Sequence, residues 1–325
     1  MTGLIDFNDV EAAALRLNGV ANETPLLESP ELNDLTGGRI LLKAESLQLG
    51  GSFKFRGAYN LISRLTDEER ARGIVAWSSG NHAQGVARAA SMFGARATIV
   101  MPKDAPAIKT DRVKALGAEI VPYDRYSEDR EEIGRAIAQQ TGGVLAPSYD
   151  HPDIIAGQGT VGLEIVRQAD ERAPRLDAVL ICCGGGGLAS GSSLAIKALA
   201  PRTDVYVVEP ENYDDTARSL MAGSILSVEK FLPTLCDAVA TPHPGKLTFP
   251  ILQKNVSGGL VVSEDAVRGA VAWAFKYLKL VLEPGGAIAL AVVLAGVFPV
   301  RGRVVAVTLS GGNVDPTSYA ELIAS

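Results

Sequence analysis

Cysteine is scarce in this chain: three occur in 325 residues, too few for a disulfide framework. They are Cys182, Cys183 and Cys236, and none has the spacing of a metal site or a redox pair. That usage fits small core residues and a reducing cytoplasm. A strong charge of one sign is missing too. The 31 Lys and Arg stand against 37 Asp and Glu, a net charge of −6. Without a basic run or an aromatic-basic stripe there is no electrostatic case for a nucleic-acid partner. Long apolar runs are also lacking. The longest, Ala287 to Val300, is too short to cross a bilayer and reads as a buried helix, so no membrane partner is expected. Met1 to Val10 is polar, carries Asp6 and Asp9, and does not read as a signal peptide. Repeats, low-complexity tracts and long linkers are absent.

Glycine, by contrast, is abundant at 34 residues, and strand-like runs alternate with helical ones. Strands are expected at Arg39–Ala44, Gly73–Trp77, Ala97–Met101, Glu119–Val121, Ala178–Cys182, Asp204–Val208 and Gly302–Leu309. Helices are expected at Phe55–Leu65, Val86–Phe93, Ala107–Leu116, Ser127–Gln140, Ile154–Ala169, Leu188–Ala200 and Ala266–Leu280. The alternation predicts an α/β fold with mostly parallel sheets covered by helices. Two clusters, about Ile74–Tyr123 and Ala178–Val208, predict two domains with a site between them.

Four segments carry chemistry. In Gly51-Ser52-Phe53-Lys54-Phe55-Arg56-Gly57-Ala58 a lysine opens a helix under aromatic cover from Phe53 and Phe55. Desolvation and the positive helix end both disfavour its ammonium. A neutral amine can form a Schiff base with a carbonyl cofactor. Ser78-Ser79-Gly80-Asn81-His82 joins a strand to a helix and offers free N–H groups to an anion. Cys183-Gly184-Gly185-Gly186-Gly187 does the same with four glycines, which let the backbone approach a phosphate closely. Leu309-Ser310-Gly311-Gly312-Asn313 ends the last strand. Each of the last three follows a strand, and open α/β sheets bind ligands at that edge.

These segments, with Ile155-Ala156-Gly157-Gln158-Gly159-Thr160, resemble the pyridoxal-phosphate serine/threonine dehydratase and serine racemase family of fold type II. The resemblance runs from about Asp9 to Pro316. It implies a large cofactor-binding domain, 1–66 and 150–325, and a small α/β domain, 67–149, with the cofactor between them. It assigns Lys54 to the covalent cofactor bond and to removal of the Cα proton. Phe53, Asn81, Glu283 and Ser310 would border the cofactor, and Gly184, Gly185, Gly186 and Gly187 would grip its phosphate. Ser78, Ser79, Asn81 and His82 would bind the substrate carboxylate, and Ser79 would return a proton on the other face in a racemase. Ser310 would face the ring nitrogen. A serine there cannot hold a full positive charge on the ring, which favours loss of a β-leaving group. Glu209, the Tyr213 carbonyl and Asp215 would hold Mg²⁺, or Ca²⁺ or Mn²⁺.

The implied activity is dehydration and deamination of a small amino acid, L-threonine, L-serine or a 3-hydroxyaspartate, by a homodimer. Serine racemisation is the alternative within enzymes. A non-catalytic cofactor carrier is disfavoured by the intact Lys54 and phosphate loop. A nicotinamide oxidoreductase is disfavoured because the glycines lack the spaced Gly-x-Gly-x-x-Gly form. Two positions depart from the family pattern: Asp237-Ala238, commonly Asp-Gly, and Gly285 after Glu283-Pro284, commonly Ser or Thr. Arg130 and Arg135 could meet a second carboxylate. His151 is expected at a helix start and His243 in a loop.

Overall fold

The computed structural model describes residues 5–324 apart from 79, 106, 125 and 174. Its described strands form two sheets. The larger holds β1 (Leu26–Glu28), β2 (Arg39–Ala44), β7 (Ala178–Cys182), β8 (Asp204–Pro210), β9 (Gly258–Val262) and β10 (Val304–Leu309), in the order β1-β2-β10-β7-β8-β9. The smaller holds β3 (Ile74–Trp77), β4 (Ala97–Pro102), β5 (Glu119–Tyr123) and β6 (Val144–Leu145), in the order β5-β4-β3-β6. All pairings are parallel except β1 with β2. The central strands β2, β7 and β10 are near-continuous apolar runs because helices cover both faces.

Parallel strands all point one way, so their C-terminal ends share an edge. Ser78 follows β3, Cys183 follows β7 and Ser310 follows β10. All three polar loops therefore leave the sheets at that edge. One helix, Pro284–Leu294, is buried all round and runs against β10 and β7. Such a segment needs no polar face. It ends earlier than its apolar run, because Gly296 turns left-handed at φ 69°. The helix expected to reach Leu280 is α-helical only over Glu264–Trp273, then a π turn, Ala274–Leu278, ending at left-handed Lys279.

Another helix starts earlier than its pattern suggests. It spans Asn81–Met92, not Val86–Phe93. Its first turns carry Asn81, His82 and Gln84, buried polar residues that mask the apolar period. Strands β1, β6 and β9 are also unannounced. Two of them are too short to show a period, and β9 opens on two glycines.

Helix Lys54–Ser63 is fixed by one cluster of buried charge. Arg56 is bidentate to Glu45 (both 2.8 Å) and reaches Glu164 with its two Nη atoms at 2.5 and 2.8 Å. Lys43 donates to the same Glu164 at 2.5 Å. Burial opposes the Glu45 charge, yet the Arg56 guanidinium holds its carboxyl below the ordinary value. The same helix crosses helix Pro152–Asp170 closely at a pair of glycines. A Cβ on Gly157 would stand 2.6 Å from the Gly57 Cα. Those glycines are a packing requirement of the fold.

Candidate active site

The segment before Lys54 is pinned to the loop after β10. Ser52 bridges to Gly311, the Phe53 N–H donates to the Ser310 carbonyl at 3.2 Å, and the Gly312 N–H donates to the Gly51 carbonyl at 2.9 Å. Lys54 then opens helix Lys54–Ser63 and turns its amine into a cavity between the two sheets. Nζ donates to the Ser148 carbonyl at 2.8 Å and stands 5.1 Å from the Phe53 ring centroid. Burial pushes its pKa down to about 8, against opposing pulls from Cys182 and Glu283. Phe55, the other aromatic expected over the amine, packs instead into the core against Tyr59. Successive helical residues point about 100° apart, so Phe53 and Phe55 cannot both cover Lys54.

Ser78, Asn81 and His82 line the same cavity, whereas Ser79 lies outside the described residues. The Ser78 hydroxyl accepts from the Gly80 N–H at 3.2 Å and keeps its own proton to donate. Gly80 caps helix Asn81–Met92 with no side-chain bond, which leaves the first helical N–H groups open. His82 lies 2.7 Å from the Ala146 carbonyl through Nε2, with Nδ1 unpartnered. Burial, then the charge of Lys54, lowers its pKa to about 3, so the ring is neutral and Nε2 carries the proton. Asn81 sits in a chain. Arg112 donates to Asn313 (2.8 Å), Asn313 to Asn81 (2.8 Å), and Asn81 to Glu283 (2.5 Å). Burial raises Glu283 to about 7.

The glycine loop faces them from the end of β7. Gly186 has φ 91° and caps helix Gly187–Leu199 with no side-chain bond. The Gly185 carbonyl accepts from the Thr248 hydroxyl at 2.7 Å, and the Gly184 carbonyl from the Thr216 hydroxyl at 3.4 Å. With those carbonyls engaged by side chains, the N–H groups remain for a ligand. A Cβ on Gly185 would stand 2.4 Å from the Tyr149 ring, so a larger residue cannot fit. Cys182 and Ser310 complete the floor, and burial raises the Cys182 thiol. The backbone cradle, buried amine and serine thus fit a phosphorylated carbonyl cofactor.

Both positions that depart from the family pattern meet at this site. A Cβ on Gly285 would stand 3.1 Å from the Ala238 Cβ, and Ala238 lines the cavity. Arg130 lines it too, whereas Arg135 pairs with Glu131 at 2.8 Å on an exposed face. Asp237 lines it beside Ala238, and so do Lys109, Tyr149 and Trp77, which no sequence motif announced. His151 caps helix Pro152–Asp170 through Nδ1, and His243 lies in a loop.

The expected cation ligands lie beyond the glycine loop. Glu209 is fully buried on β8, and its carboxylate accepts from the N–H groups of Thr216 (3.1 Å) and Ala217 (2.7 Å). Burial, then Asp215, raises its pKa well above the ordinary value. Asp215 is raised to about 7 by burial, and its Oδ2 is buried without a partner. No group of three or more His, Cys, Asp and Glu side chains suited to a metal occurs among the described residues. A set of two carboxylates and a carbonyl would not form such a group, and two crowded carboxylates with an orphaned oxygen fit a cation.

Comparison with known proteins decides the family. Residues 17–311 match the model of the pyridoxal-phosphate dependent enzymes. The chain belongs to that family. An L-threo-3-hydroxyaspartate ammonia-lyase of Pseudomonas sp is 45% identical over 98% of this chain and 99% of its own length. A solved threonine deaminase of T.th. has a TM-score of 0.90 and 46% identity, over 95% of this chain and 99% of that one. Maize serine racemase has a TM-score of 0.92 and 34% identity, over 99% and 98%. The family's cofactor is pyridoxal phosphate, and the fold-type II architecture is the one described above. No described helix is long and apolar enough to cross a membrane.

Proposed function

We propose that the protein is a pyridoxal-phosphate-dependent ammonia-lyase that converts a β-hydroxy amino acid to a 2-oxo acid and ammonia. A 3-hydroxyaspartate stands first among the substrates, ahead of L-threonine and L-serine, because of the similarity to the Pseudomonas enzyme. The observation that carries the reading is the buried, acidified amine of Lys54 among the glycine cradle, Ser310 and the open N–H groups at Asn81.

Bound pyridoxal phosphate supplies a sink for the electron pair left when the Cα proton departs. Gly184 to Gly187 and the start of helix Gly187–Leu199 hold its phosphate by N–H groups. Lys54 would anchor it and, with its amine free, would take the Cα proton at Nζ. An amine with a pKa near 8 is a competent base at neutral pH. Ser78 and the N–H groups of Asn81 and His82 hold the α-carboxylate. Phe53 flanks the site, while Asn81, fixed by Glu283 and Asn313, orients the cofactor's oxygen. Ser310 would face the ring nitrogen, and a hydroxyl there would not support a full positive charge on the ring, which would favour elimination over proton return.

Glu209, the Tyr213 carbonyl and Asp215 hold a divalent cation, Mg²⁺ foremost. Residues 67–149 form the small domain and the rest the large one. The enzyme works as a homodimer in the cytoplasm, which size-exclusion chromatography and fractionation would test. The activity test is a panel of L-serine, L-threonine and the 3-hydroxyaspartates. At least one should yield 2-oxo acid plus ammonia. If inverted amino acid is the main product, serine racemisation replaces the lyase reading.

A further inference from the structure

The ammonia-lyase reading leaves two basic side chains of the cavity unused, Arg130, which is exposed, and Lys109, which is partly buried. Lys109 lies on helix Ala107–Ala115, between β4 and β5, and its side chain lines the cavity. Its Nζ is 3.1 Å from Oδ2 of Asp237, in the loop that carries Ala238. The two side chains differ in exposure, 17% for Lys109 against 64% for Asp237. Asp237 can therefore exchange its partner for water at little cost. Lys109 is less exposed and gains more than Asp237 from keeping an ionic partner. Arg130 is exposed to water and has less to gain from a new anion, and the other groups have roles in that reading: Lys54 with the cofactor, the glycine loop with phosphate, and the N–H groups at Asn81 with one carboxylate. A substrate with only one carboxylate leaves Lys109 with Asp237. A substrate with two brings a competing anion.

We propose that Lys109 is the specificity residue for a second carboxylate on the substrate, which displaces Asp237 from Nζ. The assignment rests on the ammonia-lyase reading for its substrate. Asp237 is then a placeholder. It offsets the Lys109 charge and repels a dicarboxylate until it is displaced, so its removal should favour that substrate. A plain tie between the two sheets is the rival explanation. Arg112, on the same helix, makes such a tie to Asn313 at 2.8 Å. A tie would help every substrate alike.

The test is a ratio, kcat/KM for L-threo-3-hydroxyaspartate over kcat/KM for L-threonine, measured on the loaded enzyme. Lys109→Met should lower it about 30-fold and Lys109→Arg by much less, since loss of a desolvated charge partner costs that order. Asp237→Asn should raise it about threefold, the size expected for a half-exposed charge. A ratio unchanged in both Lys109→Met and Asp237→Asn means a tie and overturns the assignment. Should Lys109→Met fail to fold, the exposed Asp237→Asn decides: a ratio that does not rise overturns it. Thermal shift of the loaded protein with succinate against butyrate separates the proposal from the lyase reading. Succinate should stabilise more, and Lys109→Met should erase the difference. If neither amino acid reacts but that pattern holds, the lyase reading fails and Lys109 keeps its role. A succinate preference that survives in Lys109→Met overturns the assignment outright.

Discussion

At the scale of single residues, burial sets the chemistry. Lys54 is acidified by desolvation and not by a neighbouring cation, since its nearest polar contact is the Ser148 carbonyl. A folded pKa near 8 means that cofactor capture by the apoenzyme should accelerate with pH and level off above about pH 8. Stopped-flow absorbance would follow it, and a flat profile from pH 6 to 9 would remove the argument. Lys54→Ala should lose turnover by about 1000-fold or more, because base and anchor vanish together. Arg56 acts on stability. Arg56→Met strands fully buried Glu45 and leaves Glu164 with Lys43 alone. Removing one member of such a cluster costs about 3–5 kcal/mol. Urea denaturation should show it, and a loss below about 1 kcal/mol would mean that Glu45 protonates at no cost.

Elements show what could be read from the sequence and what could not. Lys54 at a helix start and the loops after β3, β7 and β10 were legible, because small polar residues break strong apolar runs there. Lys109 and Tyr149 were not. Their neighbours carry no motif, and only the crossing of two sheets brings them to one cavity. The Asn81 helix start was hidden by buried polar side chains. The segment Ile155–Thr160 reads as a family signature, yet its glycines serve helix packing. An alanine Cβ at Gly157 meets backbone, the Gly57 Cα at 2.6 Å and the Arg56 carbonyl at 2.7 Å. At Gly57 the nearest obstacle is the Gln158 side-chain amide at 2.5 Å, which can turn away, with the Ile154 carbonyl behind it at 2.9 Å. Both gain helix propensity of about 1 kcal/mol as alanines. Gly157→Ala should nonetheless destabilise by about 2–3 kcal/mol, and Gly57→Ala by less. The reverse order in thermal melts would show that the helices slide apart easily.

Across the whole molecule, the proposed cation carboxylates and the proposed phosphate cradle are joined through Thr216. Its N–H donates to Glu209 at 3.1 Å, and its hydroxyl donates to the Gly184 carbonyl at 3.4 Å. Charge at Glu209 and Asp215 therefore bears on how firmly Gly184 is held. Asp215 has a folded pKa near 7 against an ordinary 3.8, a rise set first by burial. Between those values the folded state binds more protons than the unfolded chain. The Asp215 contribution to the stability of the cation-free protein then falls as pH rises from about 4 to 7 and stays lost above it. A cation that binds only the folded, ionised pair reverses that slope. In chelator, the melting temperature should drop by at least about 3 °C between pH 5.5 and 8, and Mg²⁺ should restore it at pH 8. Asp215→Asn should make the chelator profile shallower, with Glu283, also raised to about 7, carrying part of the slope that remains. Through Thr216, chelation at pH 8 should also weaken retention of the cofactor, read as loss of visible absorbance on dialysis. A melting temperature indifferent to both chelator and Mg²⁺ at pH 8 would mean that Glu209 and Asp215 remain protonated in the fold and hold no cation.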